Sequence, residues 1–475
     1  MDWERLFEEH SIRNDEGEVV QLVLAELRPR YVRNEEGRLV RLALDRFCPE
    51  HFPAEIWTLT SLTKLDISGN QLEILPIEIS NLTSLTSLYI SRNSLQILPA
   101  EISQLTSLKT FSVSGNRLRT LPEEIGQLNA LTELDISENL LRTLPEEIGQ
   151  LNALTELDIS GNLLQTLPEE MASLTKLVTL YTSRCQLPIP AIARLTTLTA
   201  LDISWVPRVN LSPEIARLTN LALLNVSHNR FETLPAEFGE LTSLTVLDAA
   251  SNRFRSIPAE IFQLTRLIAL NISGSRHHTI LPEIGKLSSL TTLRSRGCFG
   301  ILRTFPAELF NIRALSELDL SHNRLKTLPT EISQLASLAK LDLGMNLLRN
   351  LPREMGSMTA LTVLDVRDNK LEAIPSDIGK LMLLEELDAS DNPLNTLPPI
   401  IPSCQVTGVE DQLVETSHQL WQERARTVAT YGLCWNRARK MILRPLSAQL
   451  PPLVARHVIE LLFDGWYPTT RDTSS

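Results

Sequence analysis

A twenty-residue phrase, LRTLPEEIGQLNALTELDIS, occurs twice without a change, at residues 118–137 and 141–160, an offset of 23. Fixed-period repetition of this kind constrains a fold more tightly than composition does, because each copy must be one structural unit that packs on its neighbours. The same skeleton, LxxLxLxxNxL, begins with Leu62, Leu65, Ile67, Asn70 and Leu72 and runs on to Leu384, Leu387, Ala389, Asn392 and Leu394. Its Asn position falls at 70, 93, 116, 139, 162, 185, 206, 229, 252, 275, 298, 323, 346, 369 and 392, which makes fifteen units. A worn copy, Leu39, Leu42, Leu44 and Phe47, lies one period upstream, and residues 19–24 read as a further one. The pair RNDEGEVVQLVL and RNEEGRLVRLAL marks these two N-terminal copies as relatives of each other.

Each unit carries two periodicities. In LTELDIS the apolar residues alternate, as in a short strand with one buried face, whereas LPEEIGQL spaces Leu, Ile and Leu as a turn or two of helix does. Proline suits the first helical position, where its missing N–H costs little, and the following Glu favours the positive end of the helix. One unit cannot cover its own apolar side, so the units stack, with their strands in a parallel sheet on a concave face and the helical turns on the convex one. The recurrent Asn is structural on this reading. Its amide satisfies backbone groups left unpaired where the chain turns out of the strand.

Composition agrees with many similar thin layers. Leucine is abundant while aromatic residues make up only 5%. Five cysteines, Cys48, Cys185, Cys298, Cys404 and Cys434, form no CxxC and no regular spacing, which argues against a disulfide or zinc framework. The N-terminal MDWERLFEEH is acidic where a signal peptide is basic and then apolar, and no run of about 18 apolar residues follows. These features point to a soluble protein of a reducing, cytoplasmic compartment, in which the Asn81 and Asn271 sequons carry no glycan. The net charge is −12, and residues 402–475 hold eight Lys or Arg against seven Asp or Glu, so the acidity belongs to the repeats. A duplex-binding surface needs the opposite sign, which excludes nucleic acid as the expected partner.

The LPxEIxxLxxLxxLDISxNxL unit, repeated over about four fifths of the chain, resembles the leucine-rich repeat (LRR) family, and its 23-residue form resembles the intracellular Ras-related class. That class includes plant intracellular Ras-group-related LRR proteins and animal Ras scaffolds. The resemblance implies an α/β fold: a solenoid or horseshoe with a parallel concave sheet, short convex helical turns and an α-helical C-terminal cap. It also implies a monomeric intracellular adaptor or scaffold for a protein partner, such as a small GTPase or phosphatase, with no cofactor.

Function is expected where the units vary. The residues flanking the inward leucine of each strand face the concave side, as in Lys64, Asp66, Ser68 and Glu133, Asp135, Ser137. Strands lie about 4.8 Å apart, so Glu133, Asp135, Glu156 and Asp158 are expected to form a tight acidic cluster. A single Asp is most simply the consensus letter of a solvated face; the row as a whole favours a basic partner. Tyr89, Tyr181, Trp205, Arg294 and Arg296 break the acidic rule and belong to the residue types enriched in binding hot spots. For Trp205 the alternative is a filler in a distorted unit. The expected partner-binding set is therefore these five residues together with the four carboxylates.

Two stretches break the Asn pattern, with Cys185 and Val206 in one and Ser275 and Cys298 in the other. The spacing there shortens to 21 and lengthens to 25, and loss of the amide is expected to loosen those turns. His277 and His278 adjoin the second break, but no third ligand stands at metal-site spacing, so an exposed loop is expected and no metal. No GxxxxGK[ST], HExxH, GxSxG or HRD stretch occurs, and the expectation is a protein that is not an enzyme.

Beyond residue 402 the repeat stops and apolar residues fall at helical intervals, with Pro451 and Pro452 placed to open a second helix. The expected division is an N-terminal cap with a degenerate repeat over 1–38, a solenoid over 39–401 and a helical cap or recruitment segment over 402–475. Residues 433–462 also look like the tails of some LRR substrate receptors of cullin ubiquitin ligases, with Arg437 where those tails often carry cysteine. That resemblance implies a second function, recruitment of a ligase. Arg437, Arg439, Lys440 and Arg444 are read as solvated charge.

Overall fold

Three-residue strands are the basic element of this chain, and the inward leucine at the centre of each explains why they form. In Lys64–Asp66, Glu133–Asp135 or Glu317–Asp319 the central Leu is buried while its two neighbours stay at least partly open. The computed structural model describes residues 12–13, 19–20, 30–46, 52, 54–206, 211–276, 280–298, 305–400 and 402–430. They fall into two compact units, Met1–Arg253 and Phe254–Ser475. In the first, strands from Leu39–Ala43 to Val246–Asp248 pair in parallel with their chain neighbours, leucine opposite leucine except at Phe111, as Leu65 with Leu88 and Leu134 with Leu157. In the second, parallel pairing runs from Ala269–Asn271 to Gln405–Thr407. The parallel sheet and the repeated unit are those expected from the alternation in LTELDIS.

The helical half of each repeat is a five-residue 3-10 turn, such as Glu123–Gln127, and among the described repeats only Ile189–Ile192 in the shortened unit is α-helical. Few residues separate the proline from the next inward leucine, and i→i+3 bonds close in that length where two α-turns do not. Ile125 N–H donates to the Pro122 carbonyl at 3.1 Å and Leu128 N–H to the Ile125 carbonyl at 3.2 Å. Proline in most units stands one place earlier than the sequence suggests. Pro122 is extended, at φ −67° and ψ 145°, and serves as the N-cap whose carbonyl starts the turn. Turns of successive repeats pack closely: a Cβ at Gly126 would lie 2.5 Å from the Glu147 carbonyl oxygen, so glycine is required there.

The asparagine ladder works as its chemistry demands. Asn139 is 3% exposed; its Nδ2 donates to the carbonyls of Val113, Ile136 and Ser137, each at 3.1 Å, and its Oδ1 accepts the Leu118 N–H at 3.0 Å. One side chain thus closes its own turn and ties it to the preceding repeat. Where Asn is lost, sulfur partly replaces it. Cys185 Sγ donates to the Ile159 carbonyl at 3.1 Å, and Cys298 Sγ to the Ser295 carbonyl at 3.3 Å. Burial pushes both thiols up to about 11, so they stay protonated donors. Ser275 is too short to take over: it is 0% exposed and its hydroxyl has no hydrogen-bond partner.

At the N-terminal side, Arg30–Arg33 and Leu39–Ala43 form an antiparallel hairpin, with Asn34 Oδ1 accepting the N–H groups of Glu36 and Arg38 and Gly37 at φ +79°. Ile12–Arg13 and Val19–Val20 also pair antiparallel. The likeness of RNDEGEVV to RNEEGRLV is therefore a likeness of strand–RNxEG–strand segments. At the other end, helix Asp411–Thr430 lies on the chain leaving the last repeat. Ser417, 1% exposed, donates to the Pro398 carbonyl and accepts the Ile400 N–H at 3.0 Å. Cys48, His277, His278, Cys434, the basic residues Arg437 to Arg444, the proline-initiated helix and the ligase-like stretch 433–462 lie outside the described residues. No helix among the described residues is long and apolar enough to cross a membrane.

Candidate partner-binding face

The open face of the sheet in the first unit brings the expected carboxylates together. Glu133 pairs with Glu156 and Asp135 with Asp158 across neighbouring strands. Asp135 accepts from the hydroxyls of Ser112 and Ser137, both at 2.6 Å, and Asp158 accepts the Ser160 N–H at 2.8 Å. Partial burial first, and then the charges of Glu133, Asp158 and Asp135, push the Glu156 carboxyl above its ordinary 4.5; burial likewise raises Asp158 above 3.8 despite its Ser160 bonds.

Tyr181 follows in the same row. Its strand partners are Asp158 on one side and Asp202 on the other, so the phenol stands between two carboxylates. Burial, then Glu156, Asp158 and Asp202, raise its hydroxyl above the usual range. Tyr89 lies farther along, between Asp66 and Ser112, with the Lys64 ammonium 4.7 Å from its ring centre.

Trp205 is held in a backbone conformation that its side chain does not favour. The residue before the ladder position turns through the left-handed region in repeat after repeat; Gly69, Gly115 and Gly161 fill it at φ +70°, +64° and +65°, and side-chain-bearing residues such as Arg92, Ser251, Met345 and Asp368 fill it in others. Trp205 occupies the same place at φ +58°, at a cost of roughly 1–2 kcal/mol relative to glycine. Its ring stacks on His228, with centroids 4.0 Å apart and planes 7° from parallel, and the Arg184 guanidinium lies 5.7 Å from its centre. Arg184 in turn holds Glu138 at 3.1 Å. The result is a ridge, Glu138–Arg184–Trp205–His228, along the edge of the strands, with the indole 49% exposed. The sequence points to Trp205 but not to Arg184 and His228. The available signal was that these residues occupy the same repeat position, the one before the ladder residue, in successive units.

In the second unit Arg294, Arg296 and Arg367 are already engaged. Arg294 donates to Glu317 Oε1 at 2.8 Å through Nη2 and at 3.1 Å through Nε. Arg296 Nη2 lies 2.6 Å from His322 Nε2, and Arg367 pairs with Asp365 at 3.3 Å and Asp388 at 3.9 Å. The arginines expected to offer positive charge to a partner therefore engage neighbouring groups on their own face.

Among the described residues no group of three or more His, Cys, Asp or Glu is placed to hold a metal ion. Cys185, Cys298 and Cys404 are buried free thiols.

Comparison with known proteins follows the same lines. The pattern of a leucine-rich repeat region matches residues 37–140, 123–233 and 208–321, and that of a single leucine-rich repeat matches 314–335. An LRR protein of Leptospira interrogans is 34% identical, with 77% of this chain and 94% of that one covered and a TM-score of 0.68. A plant peptide hormone receptor, RGFR1, solved in complex with RGF2, is 32% identical over 75% of this chain and 60% of its own, with a TM-score of 0.53. The functional domain of InlJ from Listeria monocytogenes, 24% identical over 71% of this chain and 70% of its own with a TM-score of 0.54, shares the fold. A search of curated protein sequences returns no match.

Proposed function

This chain belongs to the leucine-rich repeat family, and on that premise we propose that it is a protein-binding scaffold or adaptor in intracellular signalling, holding its partner against the open face of the parallel sheet. The observation that carries this reading is Trp205: a large aromatic ring, half-exposed at the edge of the strands, and ordered by His228 and Arg184. Exposed, pre-ordered Trp, Tyr and Arg are what binding hot spots are made of. RGFR1, a plant peptide hormone receptor whose structure is a complex with RGF2, lends support to a binding role here. Three buried thiols without a disulfide favour a reducing compartment, in keeping with the resemblance to the Ras-related class and with a small GTPase or phosphatase as partner.

Affinity purification with the full chain, with Trp205→Gly plus Tyr181→Ala, and with a chain ending at residue 402 tests the proposal. A GTPase or phosphatase retained by the full and shortened chains and lost from the double variant is the expected result. Retention by the double variant contradicts it. Recovery of cullin or elongin subunits with the full chain only would instead assign the protein to ligase recruitment through residues 433–462.

A further inference from the structure

We infer that the open face of the strands Glu156–Asp158, Thr179–Tyr181 and Ala200–Asp202, with the Trp205 ridge at its edge, docks a partner segment that presents lysine or arginine side chains; this rests on reading the sheet as a protein-binding face. Three observations select that occupant. The first is the alternation of aromatic and acid: Tyr181 stands between Asp158 and Asp202, so a cation laid on the phenol meets a carboxylate on either side. The second is the charge of the strands themselves. From Glu133–Asp135 through Ala200–Asp202 they carry Glu133, Asp135, Glu156, Asp158 and Asp202 and no Lys or Arg.

The third is the contrast with the second unit, where Arg294 and Arg367 already pair with Glu317, Asp365 and Asp388. Both units have an acidic repeat letter, but these strands of the first leave it without a cation of their own. The arginine at their edge, Arg184, is balanced by Glu138 at 3.1 Å and therefore does not repel a cationic segment; its guanidinium orients the indole instead. An anionic or purely apolar segment would bury these carboxylates without compensation, which is costly. A cationic one relieves the mutual repulsion that Glu133, Glu156 and Asp158 already show.

The full chain is titrated into a fluorescently labelled peptide of alternating arginine and serine, and into its glutamate–serine counterpart, with anisotropy as the readout. Glu156→Gln plus Asp158→Asn removes two charges from the sheet face, and the amide introduced at position 158 keeps an acceptor for the Ser160 N–H. Glu123→Gln plus Glu146→Gln removes two from exposed turns and is the control. The expected result is saturable binding of the arginine peptide, weakened about tenfold by the sheet-face pair and less than about twofold by the control pair. Trp205→Gly, which suits the left-handed backbone, should weaken it about threefold. Equal losses from the two pairs, or equal binding of the glutamate peptide, overturn the inference. A captured protein partner that depends on Tyr181 but ignores the sheet-face pair also overturns it while leaving the scaffold reading intact; no captured partner at all would instead remove that reading.

Discussion

Asn139 shows how much of this fold rests on one side-chain type. Three donated bonds and one accepted bond hold two successive repeats together, and a buried amide that loses them leaves backbone carbonyls without partners. Asn139→Ala is therefore expected to cost about 1–3 kcal/mol, whereas Ser275→Ala, which removes a buried hydroxyl that bonds nothing, should be neutral or slightly stabilising. Chemical denaturation compares the two, and equal small losses would contradict the ladder's role. This residue-level logic was legible in the sequence, since LxxLxLxxNxL marks both the strand and the amide. The Trp205 ridge was not. Its parts, Glu138, Arg184, Trp205 and His228, are 20 or more residues apart, and only the left-handed turn they share aligns them. Nor did composition reveal that Cys185 and Cys298 stand in as donors, because a thiol's bonding depends on which carbonyl the backbone brings to it.

Between neighbouring strands the decisive term is electrostatic. Glu156 and Asp158 have folded-state affinities for protons above their ordinary values of 4.5 and 3.8. Such groups bind more protons in the folded state than in the unfolded one. Their contribution favours folding fully below the unfolded value and is lost as pH rises through the folded one. At neutral pH the two therefore cost stability. Glu156→Gln plus Asp158→Asn should raise the thermal midpoint at pH 7, and the gain should shrink as pH falls through the carboxylate range; a gain that does not change with pH would sink this account. The alternation of LTELDIS disclosed which residues share that face, but the raised values arise from partial burial, which the letters do not encode. At the end of the repeats, strand Gln405–Thr407 covers the edge of Glu386–Asp388, and helix Asp411–Thr430 is tied to Pro398 and Ile400 through Ser417. Removing residues 402–475 uncovers that edge and is expected to lower solubility, read by light scattering, while leaving a partner on the first unit bound with nearly unchanged affinity. A shortened chain that stays monodisperse and stable would speak against a capping role for this segment.

Across the whole molecule, repetition specifies the scaffold, and on the proposed function its interruptions are where a partner is expected to gain energy. The identical units at 118–137 and 141–160 repeat the same carboxylates, so the loss of any one alone is expected to matter little, whereas Tyr181 and Trp205 each offer a ring that can be desolvated. Arg294 and Arg296 already hold Glu317 and His322, so a partner must compete for them and their loss should matter less than that of Tyr181. The measurement that bears most directly on the central claim is an alanine scan of the open face by titration calorimetry against the captured protein partner. Tyr181→Ala is predicted to weaken binding by at least about 1 kcal/mol, with Glu133→Ala alone changing it by less than about 0.5 kcal/mol. Losses concentrated on Glu133 and Asp135, with Tyr181 and Trp205 silent, would contradict it.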